Sequence, residues 1–220
     1  MYLIIRSFMN NTVRKSIPGF TLKVTPMKSA LLILTLSFSQ TVFAQIPTAE
    51  VQIKTAVLAA PEEKRAAAMV YGYDTKGELV VLRKGTNELI CIADNPNQKG
   101  FSVSCYHKDL EPFMARGREL KAAGKTFQEI FDMREAEAKS GKLAMPKQAC
   151  NLQVYSAPAE AYNATTGEVT KGSFRYVVYI PWATAASTGL PTKPEAPGMP
   201  WIMDPGTHRA HIMIDPVSKD

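Results

Sequence analysis

The run Glu88-Leu89-Ile90-Cys91-Ile92-Ala93, a loop Asp94-Asn95-Pro96-Asn97-Gln98-Lys99-Gly100 and a returning Phe101-Ser102-Val103-Ser104-Cys105-Tyr106 constrain this chain more than any other stretch. Both flanking runs have the apolar, β-branched and aromatic character of strands, and the residues between them favour turns. Folding this hairpin about residue 98 sets Cys91 opposite Cys105. Side chains alternate across a strand, so Cys91 shares a face with Leu89 and Ala93, and Cys105 shares one with Phe101 and Val103. A cross-strand disulfide is therefore open to the pair, and its short ring stabilises by about 3 kcal/mol at most in the chain-entropy picture. The chain has three cysteines. Pairing of Cys105 with Cys150 is the rival arrangement, and three reduced cysteines packed as small apolar residues is the plainest one.

Similar short runs precede the hairpin at 68–73 and 78–83, joined by Asp74-Thr75-Lys76-Gly77 and followed by Lys84-Gly85-Thr86-Asn87, both turn-forming. The four runs read most simply as an antiparallel meander. Upstream, residues 48–59 are weakly helical, with Val51, Thr55 and Leu58 near one face, and Glu62 and Glu63 suit the first turn of a short helix after Pro61. After Tyr106 the apolar period changes: Leu110, Phe113, Met114 and Leu120 recur at helical spacing, with Asp109 suited to the N-cap, Pro112 in the first turn and Gly124 at the end. Thr126-Phe127-Gln128-Glu129 opens a second helix with a capping box and runs to about Ser140. Phe127, Ile130 and Phe131, with Met133 or Arg134, mark its inner side, and residues 134–139 read as solvated. Strand character returns at 151–155, 173–180 and 210–214. The expected fold is one α+β domain: an antiparallel sheet of five to seven strands, with a helical pair inserted between the N-terminal meander and the C-terminal strands. Residues 181–205, rich in Pro, Gly, Thr and Ala, make a long loop; such a loop either carries function or wraps a sheet edge.

The first residues predict export. Met27-Lys28, an apolar run from Ala30 to Leu36 and Ser39-Gln40-Thr41-Val42-Phe43-Ala44 follow the order of a secretory signal peptide, with cleavage after Ala44. The apolar run is far shorter than the roughly 20 residues of a membrane span, and no cysteine follows the junction to carry a lipid. Residues 1–26 are either a long basic leader or the product of a start upstream of a true start at Met27, and the second reading is favoured. Residues 1–44 are thus an upstream segment plus signal (27–44), and 45–220 a single globular domain, periplasmic or secreted. Of 26 basic residues, Arg6, Arg14, Lys15, Lys23 and Lys28 leave with the signal, so 21 remain against 20 acidic ones. A near-neutral domain lacks the basic surface that nucleic-acid binding requires.

Gly85-Thr86-Asn87, Cys91 with Asp94-Asn95-Pro96, Cys105 through Leu110, Thr188-Gly189-Leu190-Pro191-Thr192, Pro200-Trp201-Ile202-Met203 and Ala210-His211-Ile212-Met213 occur together here, behind the signal. In this combination the chain resembles a group of uncharacterised exported bacterial proteins. The resemblance spans most of the mature chain and implies a secreted or periplasmic protein, with no activity, cofactor or catalytic residue attached.

Chemical candidates are few. His208 and His211 are three apart, which on a helix would suit a metal. Asp204-Pro205-Gly206 signals a turn, however, and 211–214 suits a strand, where residues three apart face opposite ways. A metal would need further ligands, for which His107 and Asp204 are the candidates, so structural histidines at a strand entry are the favoured reading. His107-Lys108-Asp109 lies where a strand hands over to a helix, making His107 and Asp109 candidate catalytic groups, although a helix needs an N-cap there in any case. Cys150 would need a nearby base to act as a nucleophile. No nucleophile elbow, phosphate-cradling loop or dinucleotide fingerprint is present. Phe174, Tyr176, Tyr179 and Trp182 alternate as a sheet face would, and Trp182 and Trp201 are candidate ligand contacts. The expectation is an exported, non-catalytic domain binding a small ligand or an envelope protein through the Pro-rich loop and nearby aromatics, without a cofactor and without a membrane span after signal cleavage. The alternative is a periplasmic, metal-assisted enzyme using His208, His211 and His107, which requires those three side chains to meet in one cleft.

Overall fold

The computed structural model describes residues 46–217, so the signal peptide expected at 27–44 lies outside the described residues. Ten strands occur among them: β1 (Met69–Tyr73), β2 (Leu79–Arg83), β3 (Leu89–Ile92), β4 (Phe101–His107), β5 (Cys150–Ala157), β6 (Tyr162–Asn163), β7 (Glu168–Val169), β8 (Ser173–Tyr179), β9 (Trp201–Met203) and β10 (His211–Ile214). Eight form one sheet in the order β2-β1-β3-β4-β5-β8-β10-β9, and β6 with β7 makes a separate small hairpin. The helices are α1 (Ala49–Ala56), α2 (Glu111–Ala122), α3 (Phe127–Lys139) and α4 (Ala185–Thr188). The fold is α+β, with α2 and α3 inserted between the N-terminal and C-terminal strands.

The sheet is antiparallel at every pairing except β1 with β3, which run parallel. The first four strands are therefore not the simple meander that their spacing suggests. The physical reason lies in which strand each edge can tolerate. β3 is buried on both faces, whereas β2 is half-exposed throughout and Val81 is open to solvent, so β3 takes the interior place and β2 the edge. The chain reaches that place by crossing the start of β1: the amides of Thr86 and Asn87 both donate to the Ala67 carbonyl, and Asn87 Nδ2 donates to the Lys64 carbonyl. Gly85 permits the crossing, since a Cβ there would stand 2.2 Å from the Met69 nitrogen.

The sheet separates two cores. On one face α1 and the 3₁₀ turn Val57–Ala59 cover Val70, Leu89, Cys91, Phe101, Val103 and Cys105. On the other, Ile90, Tyr106, Cys150, Leu152, Val177 and Met213 pack with Leu110 and Phe113 at the start of the helical pair. Strand alternation sends neighbours such as Cys105 and Tyr106 into different cores. Cys91 pairs with Cys105 across β3 and β4, and their sulfurs are joined in a disulfide with Cα atoms 4.0 Å apart. Cys150 is free and buried. On α1 the buried residues are Gln52, Thr55 and Ala56. Gln52 is fully used: its amide nitrogen donates to the Pro47 and Tyr73 carbonyls and its oxygen accepts from the Tyr73 amide, clamping the end of β1.

The helical pair differs from expectation in phase. Thr126 and Glu129 form the capping box of α3, but Phe127, expected on the inner side, is 68 % exposed, while Arg134, named for that side, is buried. The turns that read as solvated carry the pairings that seat the helix. Arg134 lies 4.0 Å over the Phe113 ring and donates to the Phe113 carbonyl; Glu137 takes a two-pronged bond from Arg116. Long charged side chains can face inward when a ring face or an opposite charge receives them, even with Arg134 Nε left unpaired, and periodicity of apolar residues does not register that. The long 181–205 segment folds back on the sheet: it holds α4 and β9, and the Pro191 carbonyl accepts the Ile202 amide on the outer side of edge strand β9. No helix among the described residues is long and apolar enough to cross a membrane.

Candidate functional site

His208 and His211 fall in and after the turn that feeds β10. His208 is 0 % exposed. Its ring sits edge-on to Phe113 and Phe131, its backbone amide donates to Glu135 Oε2 at 2.9 Å, and its Nδ1 donates to the same oxygen at 2.5 Å. Its Nε2 is buried without a hydrogen-bond partner. Burial lowers the His208 pKa, with Glu135 pulling the other way, so the ring is neutral at pH 7. Burial alone would raise the Glu135 carboxyl; the bonds from Lys139 and from the His208 amide and ring outweigh it and hold Glu135 at about 2. His211 donates from Nδ1 to the Arg209 carbonyl, packs on Tyr179, and has its pKa lowered chiefly by burial. The single cluster of three metal-capable side chains among the described residues contains neither His208 nor His211. The three histidines therefore do not meet, and Asp204, suggested as a further ligand, instead pairs with Arg209.

His107, the last residue of β4, lies elsewhere, with Asp109 and Cys150; one donor atom from each lies within 4.8 Å of the other two. They line a pocket of about 220 Å³ with Pro61, Lys64, Glu88 and Gln153 among others. Asp109 does not cap the helix as its position suggested. A 3₁₀ turn, Lys108–Leu110, precedes α2, and the His107 ring performs the capping, its Nδ1 accepting the Asp109 amide at 3.2 Å. The Asp109 carboxylate is thereby left over, its Oδ2 3.5 Å from His107 Nδ1. Cys150, the first residue of β5, is 4 % exposed, and burial followed by the charge of Asp109 pushes its thiol up. The threefold grouping was missed in the sequence because Cys150 is far from the other two along the chain. Antiparallel pairing of β4 with β5, which places Tyr106 opposite Leu152, is the signal that could have found it.

A second concavity, of about 500 Å³, lies between the Pro-rich loop and the chain's last described residues. Pro194, Ala196, Pro197, Trp201, Pro216 and Val217 give it apolar walls, with Glu195 and Asp215 as polar members. Gly198 closes one end: its φ of +79° favours glycine, and a Cβ would come 3.1 Å from Val217 Cγ2. Asp215 is fixed by Arg175, whose Nε and Nη2 donate to its two oxygens. Of the two tryptophans proposed as ligand contacts, Trp201 lines this groove. Trp182 does not; it holds a φ of +67°, with its amide donating to the Thr207 carbonyl and Lys139 Nζ 5.9 Å from its ring centroid. That backbone is unusual for a bulky residue and costs on the order of 1 kcal/mol.

The fold and these two sites define an α+β domain with a two-faced sheet, one pocket lined by an imidazole, a carboxylate and a thiol, and one apolar groove. Comparison with protein-family models, curated proteins and solved structures gave no match.

Proposed function

We propose that this chain is an exported domain that works by binding, taking a small, largely apolar ligand in the groove beside Trp201. The observation that carries the reading is the groove itself: its volume of about 500 Å³ falls in the range of small-molecule sites, roughly 300–1,000 Å³, and its walls are mostly apolar with few polar groups, as such sites are built. The ordered frame supports it too, since β9 and β10 fix Trp201 opposite Met213 and Arg175 fixes Asp215. Export is supported by the sequence of residues 27–44 and by the Cys91–Cys105 disulfide, a bond that persists in oxidising compartments. An enzyme built on His107, His208 and His211 draws no support from the geometry, because His208 is enclosed and its nearest polar group is the structural Glu135.

The chain has two tryptophans, so Trp182→Phe leaves Trp201 as the sole indole reporter. An apolar fluorescent probe such as anilinonaphthalene sulfonate, titrated into that variant, is expected to saturate with one site and to quench the indole. Trp201→Ala is expected to weaken the probe by tenfold or more. Unchanged binding in Trp201→Ala would remove the groove as the site.

A further inference from the structure

We propose that His107, Asp109 and Cys150 form a site for a transition-metal ion of the zinc type, separate from the apolar groove. Three observations carry it. The first is composition: a thiol, an imidazole and a carboxylate are the three ligand types that zinc takes, whereas magnesium and calcium take oxygen and do not recruit sulfur. The second is distance. Bonds of about 2.0–2.3 Å at tetrahedral angles place ligand atoms about 3.3–3.7 Å apart; the His107 Nδ1 to Asp109 Oδ2 separation is 3.5 Å, and every pair of donors lies within 4.8 Å.

The third is that the framework fixes all three donors at one place, the Asp109 carboxylate with no structural purpose of its own. His107 and Cys150 are the adjoining ends of the paired strands β4 and β5, and Lys108 between His107 and Asp109 is anchored by its amide to the Glu88 carbonyl. The Asp109 side chain is 60 % exposed and caps nothing. His107 Nδ1 already presents a lone pair, since it accepts the Asp109 amide, and binding exchanges that long 3.2 Å bond for the ion. The three donors line the pocket of about 220 Å³, which has room for a water as a fourth ligand. Glu88 lies beside it, already paired with Lys64. Binding would release one proton, that of the Cys150 thiol, which leaves to solvent as the sulfur becomes a thiolate ligand.

The test uses the full mature chain, residues 45–220, without a histidine tag, with its disulfide intact and one free thiol per chain verified by titration. After chelator treatment, cobalt(II) is added as a spectroscopic stand-in, then zinc(II) by chelator competition, with magnesium as a hard-ion arm. The expected result is one cobalt per chain with a sulfur-to-cobalt charge-transfer band, displacement by zinc, and no effect of magnesium. Cys150→Ser should abolish the band. Asp109→Asn, at an exposed position where folding is not at stake, should keep the band and weaken zinc by tenfold or more, the scale seen when a site loses a supporting group. Absence of the band in the wild-type protein overturns the site, as does equal zinc affinity in wild type and Asp109→Asn. Neither result bears on probe binding at Trp201, so the two readings fail separately.

Discussion

Replacing Glu135 by alanine tests the account of the C-terminal turn most directly. One carboxylate oxygen accepts both the His208 amide at 2.9 Å and the His208 ring at 2.5 Å, and His208 has no exposure through which water could take over. Each buried donor stranded by the substitution costs about 1–3 kcal/mol, with the ring bond at the upper end because its acceptor is charged. Glu135→Ala should therefore lose about 3–5 kcal/mol, a large share of the roughly 5–15 kcal/mol that holds a domain together. Lys139→Ala, which removes the exposed partner of the same carboxylate, should cost under about 0.5 kcal/mol. Acid adds a second readout. The Glu135 carboxyl is depressed to about 2, so its stabilisation is complete above an unfolded value near 4.3 and is lost as pH falls toward 2. His208, whose pKa is also lowered, contributes in the same direction from an unfolded value near 6.5 downward. Urea unfolding followed by circular dichroism, with the disulfide intact, should show the wild type losing stability on acidification. The deficit of Glu135→Ala should shrink by about 1 kcal/mol between pH 7.5 and pH 3.5. A variant within about 0.5 kcal/mol of wild type at pH 7.5 would refute the claim that this carboxylate is the partner of a sealed histidine.

Asp94 titrates the opposite way. Burial raises it to about 6 against the bonds from the Ser102 and Asn95 amides, so stability falls as pH rises from about 4 through about 6. Asp94→Asn keeps an acceptor for Ser102 and should gain about 1–2 kcal/mol at pH 7.5, allowing for partial exposure, and nothing at pH 4; an equal gain at both would exclude ionisation as the cause. Removing the disulfide in Cys91→Ala/Cys105→Ala should cost about 3 kcal/mol for a ring of this span, read as a lower urea midpoint with native circular dichroism retained under non-denaturing conditions. A variant as stable as wild type would show that the strand pairing alone sets this hairpin. Tyr106→Phe should cost about 1–3 kcal/mol, because the fully buried hydroxyl both donates to Glu111 Oε2 and accepts from Arg118 Nη1; a neutral result by the same unfolding assay would mean that the network closes without it.

Local signals carried well and long-range ones did not. Alternation and turn residues located β1 to β4 and the pairing of Cys91 with Cys105, and the Thr126-to-Glu129 spacing located the start of α3, because each is decided within a few residues. The parallel placement of β3 beside β1 was not legible: it depends on which strand can be covered on both faces, a property of the whole sheet. Arg134 was named for the inner side, but the inward turn of Glu135 and Glu137 was hidden because their partners His208 and Arg116 belong to other elements. For the same reason, His107 and Asp109 read as a local pair while Cys150 read as a solitary thiol. The long 181–205 segment announced itself by composition, but that it shields β9 through Pro191 follows only from the backbone bond to Ile202.

The two-sided core also acts on thiol chemistry. Exchange between a thiol and a disulfide requires the attacking sulfur to come into line with the bonded pair. Cys91 and Cys105 are sealed in the core beneath α1, and Cys150 belongs to the core on the far side of the same sheet. Once β4 has zipped onto β5, the sheet is a partition through which no sulfur can pass, and the three cysteines stop being interchangeable. Folding of this chain thus has a ratchet: mispaired forms with Cys150 are accessible only before the strands join, and afterwards the sheet bars the remaining thiol from exchange with the disulfide.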